Sequence, residues 1–144
     1  MTPDQAAFRA TFKASGTAPP DADARFHSAF AIGGGSDDGA APILSGAKTL
    51  TSWHPAEFPE NPPRPGHLSI LLGAAGTPRG VIETVRVWPM TLAETTEAHA
   101  AAYAEWPDLS AFRQGMLDWY RPADPAFGPD TTLIFEQQRL LWAP

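Results

Sequence analysis

The sequence predicts an α+β domain, and three observations carry that prediction. A chain of 144 residues fits one domain and is long enough to bury a core without a disulfide or metal staple. Its 16 Pro and 12 Gly, with 43% apolar residues, exclude a helical bundle and point to short strands joined by many loops. The patterns along the chain run helix, strands, two helices, strand, which is not the regular alternation of an α/β fold.

The elements follow in order. Thr2-Pro3-Asp4-Gln5 opens a helix, with Thr as N-cap, Pro in the first turn and Gln three residues on. Phe8 and Phe12 then share one face, and the helix ends near Ser15-Gly16. Residues 16–25 read as a loop, and Arg25 to Ile32 as a strand broken by Gly33-Gly34-Gly35. Ser36 caps a short helix over 37–45 that Pro42 keeps irregular. Lys48 to Trp53 is a Thr-rich strand, and 54–66, with five prolines, is a stiff connection. His67 to Leu72 and Val81 to Trp88, across Gly73–Gly76, form a hairpin that Pro89 ends. Thr91-Leu92-Ala93-Glu94 is a capping box opening a helical stretch to about Glu105. Pro107-Asp108 opens another helix, with Leu109, Phe112, Met116 and Tyr120 at helical spacing. Pro122 to Pro129 is a loop and Thr131 to Trp142 a final strand.

Composition also narrows function. Sixteen acidic residues against 10 basic give a net charge of −6, which disfavours a general nucleic-acid coat that neutralises many phosphates. One local basic groove or a small substrate stays open. There is no Cys, so thiol catalysis and cysteine metal sites are excluded. The four His (27, 54, 67, 99) show neither HxH nor HExxH spacing, and no metal site is expected. No apolar run is long enough to span a membrane, and the first residues lack a signal-peptide core, so a cytoplasmic location is expected. Lys13 and Lys48 are the only lysines.

Chemistry concentrates in two places. Ser45-Gly46-Ala47-Lys48-Thr49-Leu50-Thr51-Ser52 fails the phosphate-loop pattern, because no Gly-Lys pair follows four residues after a Gly. It leaves a Lys beside several hydroxyls at the start of a strand. In an extended chain Lys48, Leu50 and Ser52 share one face and Thr49 and Thr51 the other, so a twist is needed for Lys48 to meet Thr51. An ordinary Thr-rich surface strand explains the same pattern. Glu83 falls on the face of Val81, Val85 and Val87, where an unpaired carboxylate is costly. It has a cationic partner, opens on a pocket, or meets water at a rim.

Three segments together resemble the ASCH domain (activating signal cointegrator homology), a family related to PUA-like RNA-binding domains. They are Gly-x-Lys-Thr-x-Thr at 46–51, Pro-Gly-x-Leu-Ser-Ile within RPGHLSI at 64–70, and Gly-x-Pro-x-x-Val-Ile-Glu-Thr at 76–84. The resemblance covers roughly 26–142. It implies a small PUA-like β-barrel with flanking helices over 26–144, with residues 1–25 packed on it as a helix and loop. Some small members hydrolyse the amide of N4-acetylcytidine with a Lys, a Thr and a Glu, which the resemblance places at Lys48, Thr51 and Glu83. Thr49, Ser52, Trp53, Arg64 and Arg86 are expected to complete the substrate site. Lys48 would serve as base to the Thr51 hydroxyl if burial lowers its pKa. Glu83 would orient Lys48 or protonate the leaving amine, and a close Glu raises the Lys pKa.

Longer ASCH proteins carry an acidic Glu-Gly-Glu-Gly-Asp stretch, then Ser-Leu-x-x-Trp and a His. The matching region here, residues 102–116, keeps little of the acidic cluster and has Phe112 for the Trp and Met116 for the His. The leading expectation is therefore an amidohydrolase of N4-acylated cytidine, using no cofactor and acting on a small nucleoside. The alternatives are a ribonuclease, the only reading with a divalent metal, and a non-catalytic reader of RNA or modified nucleosides. In the latter, Arg64, Arg79, Arg86 and Arg113 form a basic rim, and Trp53 and Trp88 are stacking faces. Neither DNA nor a membrane is an expected partner.

Overall fold

A computed structural model describes all 144 residues. Helix α1 (Pro3–Ala14) starts on the expected capping box at Thr2 and Gln5. A short helix α2 (Ala22–Arg25), which the loop reading missed, leads into strand β1 (Phe26–Ala31). Helix α3 (Asp37–Leu44) is capped by the Ser36 hydroxyl, which accepts from the Gly39 amide, and it tolerates Pro42. Strand β2 (Leu50–Trp53) is shorter than expected and leaves Lys48 outside the ladder. Strands β3 (Leu68–Leu72) and β4 (Pro78–Thr91) form the expected hairpin. Helices α4 (Glu97–Tyr103) and α5 (Leu109–Tyr120) precede the last strand, β5 (Thr132–Trp142).

Two boundaries differ from the sequence reading for clear reasons. The Thr91–Glu94 capping box exists, but it caps a single 3-10 turn at Leu92–Glu94, and α4 begins separately after Thr96. Strand β4 runs through Pro89, because residues 86–91 pair only with β5. That stretch is an edge, where a missing N–H is tolerated.

The strands lie in the order β1-β3-β4-β5-β2. Strand β1 runs parallel to β3, and the other neighbours are antiparallel. The sheet is not closed into the barrel that the resemblance implied: β1 and β2 remain unpaired edges. The proline-rich connection after β2 lies beside both edges, and five prolines leave it too few N–H donors to act as a closing strand. The two edges instead curl toward one cavity, lined by His27–Phe30 of β1 and Trp53 of β2.

Side-chain alternation gives the sheet two differently used faces. On one, Leu68 and Val81 are sealed by Phe12 of α1 with Ala22, Phe26 and Trp142 around them. On the other, Leu71 and Ile82 pack under Ala40 and Ile43 of α3. The largest cluster joins α4 and α5, through Tyr103, Phe112, Met116 and Tyr120, to Leu50, Leu133 and Phe135. Phe12 is fully buried and meets Phe26 edge-on at 6.0 Å between ring centroids. Phe12→Ala is therefore expected to lower unfolding free energy by about 3–5 kcal/mol in denaturant titration, the usual cost of emptying a buried aromatic site.

Candidate functional site

The site is built around Lys48. The residue follows Gly46 and Ala47, its amide donates to the Pro42 carbonyl, and the chain then enters β2. Its side chain is 1% exposed, and its Nζ donates to the Tyr103 carbonyl at 2.9 Å and to Glu105 Oε1 at 3.2 Å. The ammonium also sits 3.4 Å from the centroid of the Tyr103 ring. Burial lowers the Lys48 pKa to about 8, and the Glu105 carboxylate opposes part of that fall.

Local structure explains why Glu105 reaches Lys48. Helix α4 stops at Tyr103, and Ala104 takes a left-handed conformation with φ 59°. That turn aims the chain away from the helix axis and places Glu105 beside the lysine. The next residue, Trp106, lies so close to Gly115 of α5 that a Cβ there would come within 2.2 Å of the indole. Trp106 also packs against Tyr103 and Phe112, so the segment carrying Glu105 is clamped on both sides. The Glu105 side chain itself is 40% exposed and lines a cavity of about 410 Å3 with Trp106, Trp119 and Gly33.

The expected grouping of Lys48, Thr51 and Glu83 does not form, and no hydrogen bond or ion pair joins any two of them. The cationic partners of Glu83 are Arg25, at 3.0 Å, and Arg139, at 2.7 Å, and not Lys48. The reason is alternation along β4. Glu83 pairs in register with Leu68 and points to the α1 face, where Arg25 of α2 waits. A bulge at Val85 then shifts the register and leaves that valine exposed, which breaks the all-Val face expected there.

Thr51 points to the opposite face. It stands directly across from Glu136 on β5, and its hydroxyl donates to Gln138 Oε1 at 3.2 Å. Ser52 turns the other way, and its hydroxyl bridges those of Tyr103 and Tyr120 at 3.0 and 2.9 Å. Burial raises the pKa of both tyrosines. The strand alternation that separates Ser52 from Thr51 also leaves Lys48 on the side of Tyr103. Thr49 is held by its backbone between Ala102 and Gln138.

A second polar group, absent from the sequence reading, lies on the face of Thr51. Glu136 is buried, and its carboxylate accepts from Thr84 Oγ1 at 2.8 Å and from the Trp53 indole at 3.2 Å. Burial raises its pKa. Glu136 and Trp53 line the cavity between the sheet edges, about 370 Å3 in volume, with His27, Ser28, Ser69 and Asn61. The available signal was the polar run Glu136-Gln137-Gln138-Arg139 set between apolar residues of β5.

The basic rim is mostly committed to structure. Arg79 binds Asp37 through two hydrogen bonds, and Arg113 donates to the carbonyls of Leu92, Ala93 and Thr95. Arg86 lies over Trp88 with its guanidinium 4.3 Å from the ring centroid, and Arg64 is exposed. No three His, Asp or Glu side chains converge as metal ligands, and no helix is long and apolar enough to cross a membrane.

This open α+β sheet with its helical cover is an ASCH-like fold. The chain is similar to the crystal structure of the ASCH domain from Lactobacillus crispatus JV V101, with a TM-score of 0.82 and 19% identity over 98% of this chain and 96% of that one. It is also similar to a protein of the DUF984 family from Enterococcus faecalis V583, with a TM-score of 0.75 and 20% identity over 97% and 94% of the two chains. By sequence, no protein family and no curated protein matches the chain.

The Lys48 site carries a pH signature in stability. Its pKa falls from 10.5 to about 8 on folding, so between those values the unfolded chain holds a proton that the folded one has released. Stability then rises with pH across that window. Relative to Lys48→Met, the wild-type protein is expected to gain about 3 kcal/mol between pH 8 and 10.5, at ~1.4 kcal/mol for each pH unit, in paired denaturant titrations.

Proposed function

We propose that the protein is an amidohydrolase of N4-acylated cytidine, in which Lys48 and Thr51 act with Glu105 and not with Glu83. The observation that carries this reading is a buried lysine with a pKa of about 8, tethered to a half-exposed carboxylate that opens on a cavity. A buried ion pair is a poor way to stabilise a fold, whereas a desolvated lysine near neutral pKa is suited to proton transfer.

In the proposed reaction the Thr51 hydroxyl attacks the acyl carbon and its proton passes to Lys48 only after substrate binding has brought the two groups, which the resting protein holds on opposite sides of β2, into contact. The tetrahedral intermediate collapses with a proton returned to N4, releasing cytidine and leaving an acyl ester on Thr51. Water then hydrolyses the ester and releases the carboxylic acid. Glu105 holds the lysine ammonium after it takes the proton. In the resting protein Thr51 donates to Gln138 and Lys48 to Tyr103 and Glu105, so the productive contact forms only with substrate in place. The net charge of −6 and the structural engagement of Arg79 and Arg113 favour a small nucleoside over a long RNA.

Release of cytidine from N4-acetylcytidine, followed by ultraviolet absorbance, tests this directly. The wild-type protein is expected to turn over with kcat/KM rising through an apparent pKa near 8, and Lys48→Met or Thr51→Ala to lose at least a hundredfold. Glu105→Gln removes the charge that holds the Lys48 pKa up, so its profile shifts to lower pH. Glu83→Gln loses bonds to Arg25 and Arg139, and its profile stays where the wild type has it. Turnover that survives both Lys48→Met and Thr51→Ala, or a profile that follows Glu83 instead of Glu105, contradicts the proposal.

A further inference from the structure

We infer that the cavity between strands β1 and β2 is a pyrimidine-recognition pocket, in which Glu136 binds the amine edge of a cytosine ring and Trp53 covers its face. The inference rests on the amidohydrolase reading for its choice of cytosine, while its geometry stands on other residues.

The volume, about 370 Å3, falls at the size of a small-ligand pocket. Its wall combines one large aromatic surface, Trp53, with polar side chains converging from separate elements: Ser28 from β1, Ser69 from β3, Glu136 from β5, and Asn61 from the proline-rich connection. The Ser28 and Ser69 hydroxyls share one hydrogen bond of 3.1 Å, which leaves each with capacity for another. The His27 ring stands in the same wall. Its Nε2 is bonded to the Asn61 carbonyl at 2.7 Å, and its Nδ1 is buried with no partner in the protein.

Glu136 carries the recognition. Each of its oxygens holds one donor, Thr84 Oγ1 or the Trp53 indole, so the carboxyl is fixed in orientation and each oxygen keeps a free acceptor position. Burial favours the protonated form of this carboxyl, the form that donates from one oxygen and accepts at the other. Cytosine offers the matching pair, an acceptor at N3 beside an N–H at N4. A nucleobase bound this way carries an N4-acyl group at the edge that Glu136 holds. Thr51, the cross-strand partner of Glu136, then stands about 5 Å away at the β-carbons, the ordinary spacing of such a pair.

Cytidine is the reaction product and undergoes no turnover, so its binding isolates the pocket from the chemistry. Calorimetric titration of wild type and Lys48→Met with cytidine is expected to give the same Kd, with uridine at least tenfold weaker. Trp53→Phe, Glu136→Gln and Ser28→Ala, checked for native circular dichroism, are expected to weaken cytidine at least tenfold for the first two and threefold for the last. Since Glu136→Gln leaves an amide against the Trp53 indole and can disturb folding, chemical-shift mapping on the wild-type protein supplies the second readout. There, cytidine is expected to move the Trp53 indole and Ser28 and Ser69 amide resonances. Cytidine binding indifferent to Trp53 and Ser28, or shifts confined to Trp106 and Trp119, overturns the inference, as does the lack of saturable binding. Turnover whose KM ignores Trp53 and Ser28 overturns the pocket and leaves the amidohydrolase reading standing. Cytidine binding that depends on Trp53 and Glu136 without turnover of N4-acetylcytidine does the reverse.

Discussion

An ammonium group taken out of water needs both an opposing charge and oriented dipoles, and Lys48 finds all of them in one short segment of chain. The Tyr103 carbonyl and ring and the Glu105 carboxylate come from the end of α4 and the turn after it. That segment keeps its place because Ala104 accepts a left-handed conformation and Trp106 seats on Gly115 of α5. The α4–α5 pair is in turn fixed to the sheet by the cluster around Phe112, Met116 and Leu133. The lysine is thus a point on which helix ending, helix packing and sheet register all bear, and its lowered pKa is a product of the whole arrangement.

The open sheet leaves a second cavity on the other side of β2. A closed barrel would fill the space between β1 and β2 with ladder hydrogen bonds. Here the edges stay unpaired, the proline-rich connection lies beside them, and Glu136, held by the Thr84 hydroxyl, lines the space between. The two sides of β2 then face different surroundings: Thr51 and Trp53 bond Gln138 and Glu136 of β5, while Ser52 bonds the tyrosines of α4 and α5. The proton chemistry proposed for Lys48 and the ligand recognition proposed for Glu136 are separated by one strand, a distance that substrate binding would have to bridge.

What the sequence made legible was local. The capping box at Thr2, the Ser36 cap, the hairpin through Gly73–Gly76 and the apolar stripe Phe112–Met116–Tyr120 are short-range patterns, and each appears in the fold. The family resemblance pointed to the ASCH-like α+β fold, but to a closed barrel where the sheet is open, and it drew attention to Lys48. What stayed hidden depended on which side a residue faces and on what lies far away in sequence. Glu83 stands out as a carboxylate among valines, yet the bulge at Val85 and the arrival of Arg25 from 58 positions earlier account for it. Glu105 reads in sequence as the remnant of an acidic cluster, because nothing in its neighbours reveals the left-handed turn at Ala104. Glu136 opens a run of four polar residues in β5, and the run by itself does not reveal that the sheet buries Glu136 and Gln138 and leaves Gln137 and Arg139 exposed.

The most direct test of the account is the ionisation of Lys48 itself, followed by nuclear magnetic resonance of a protein carrying labelled lysine side chains. With only Lys13 and Lys48 in the chain, there are two side-chain resonances to follow, and Lys48→Arg assigns them. The account predicts that the resonance lost in Lys48→Arg titrates near 8 and moves lower still in Glu105→Gln. A Lys48 midpoint near the ordinary lysine value of 10.5, or one that Glu105→Gln leaves in place, would contradict it.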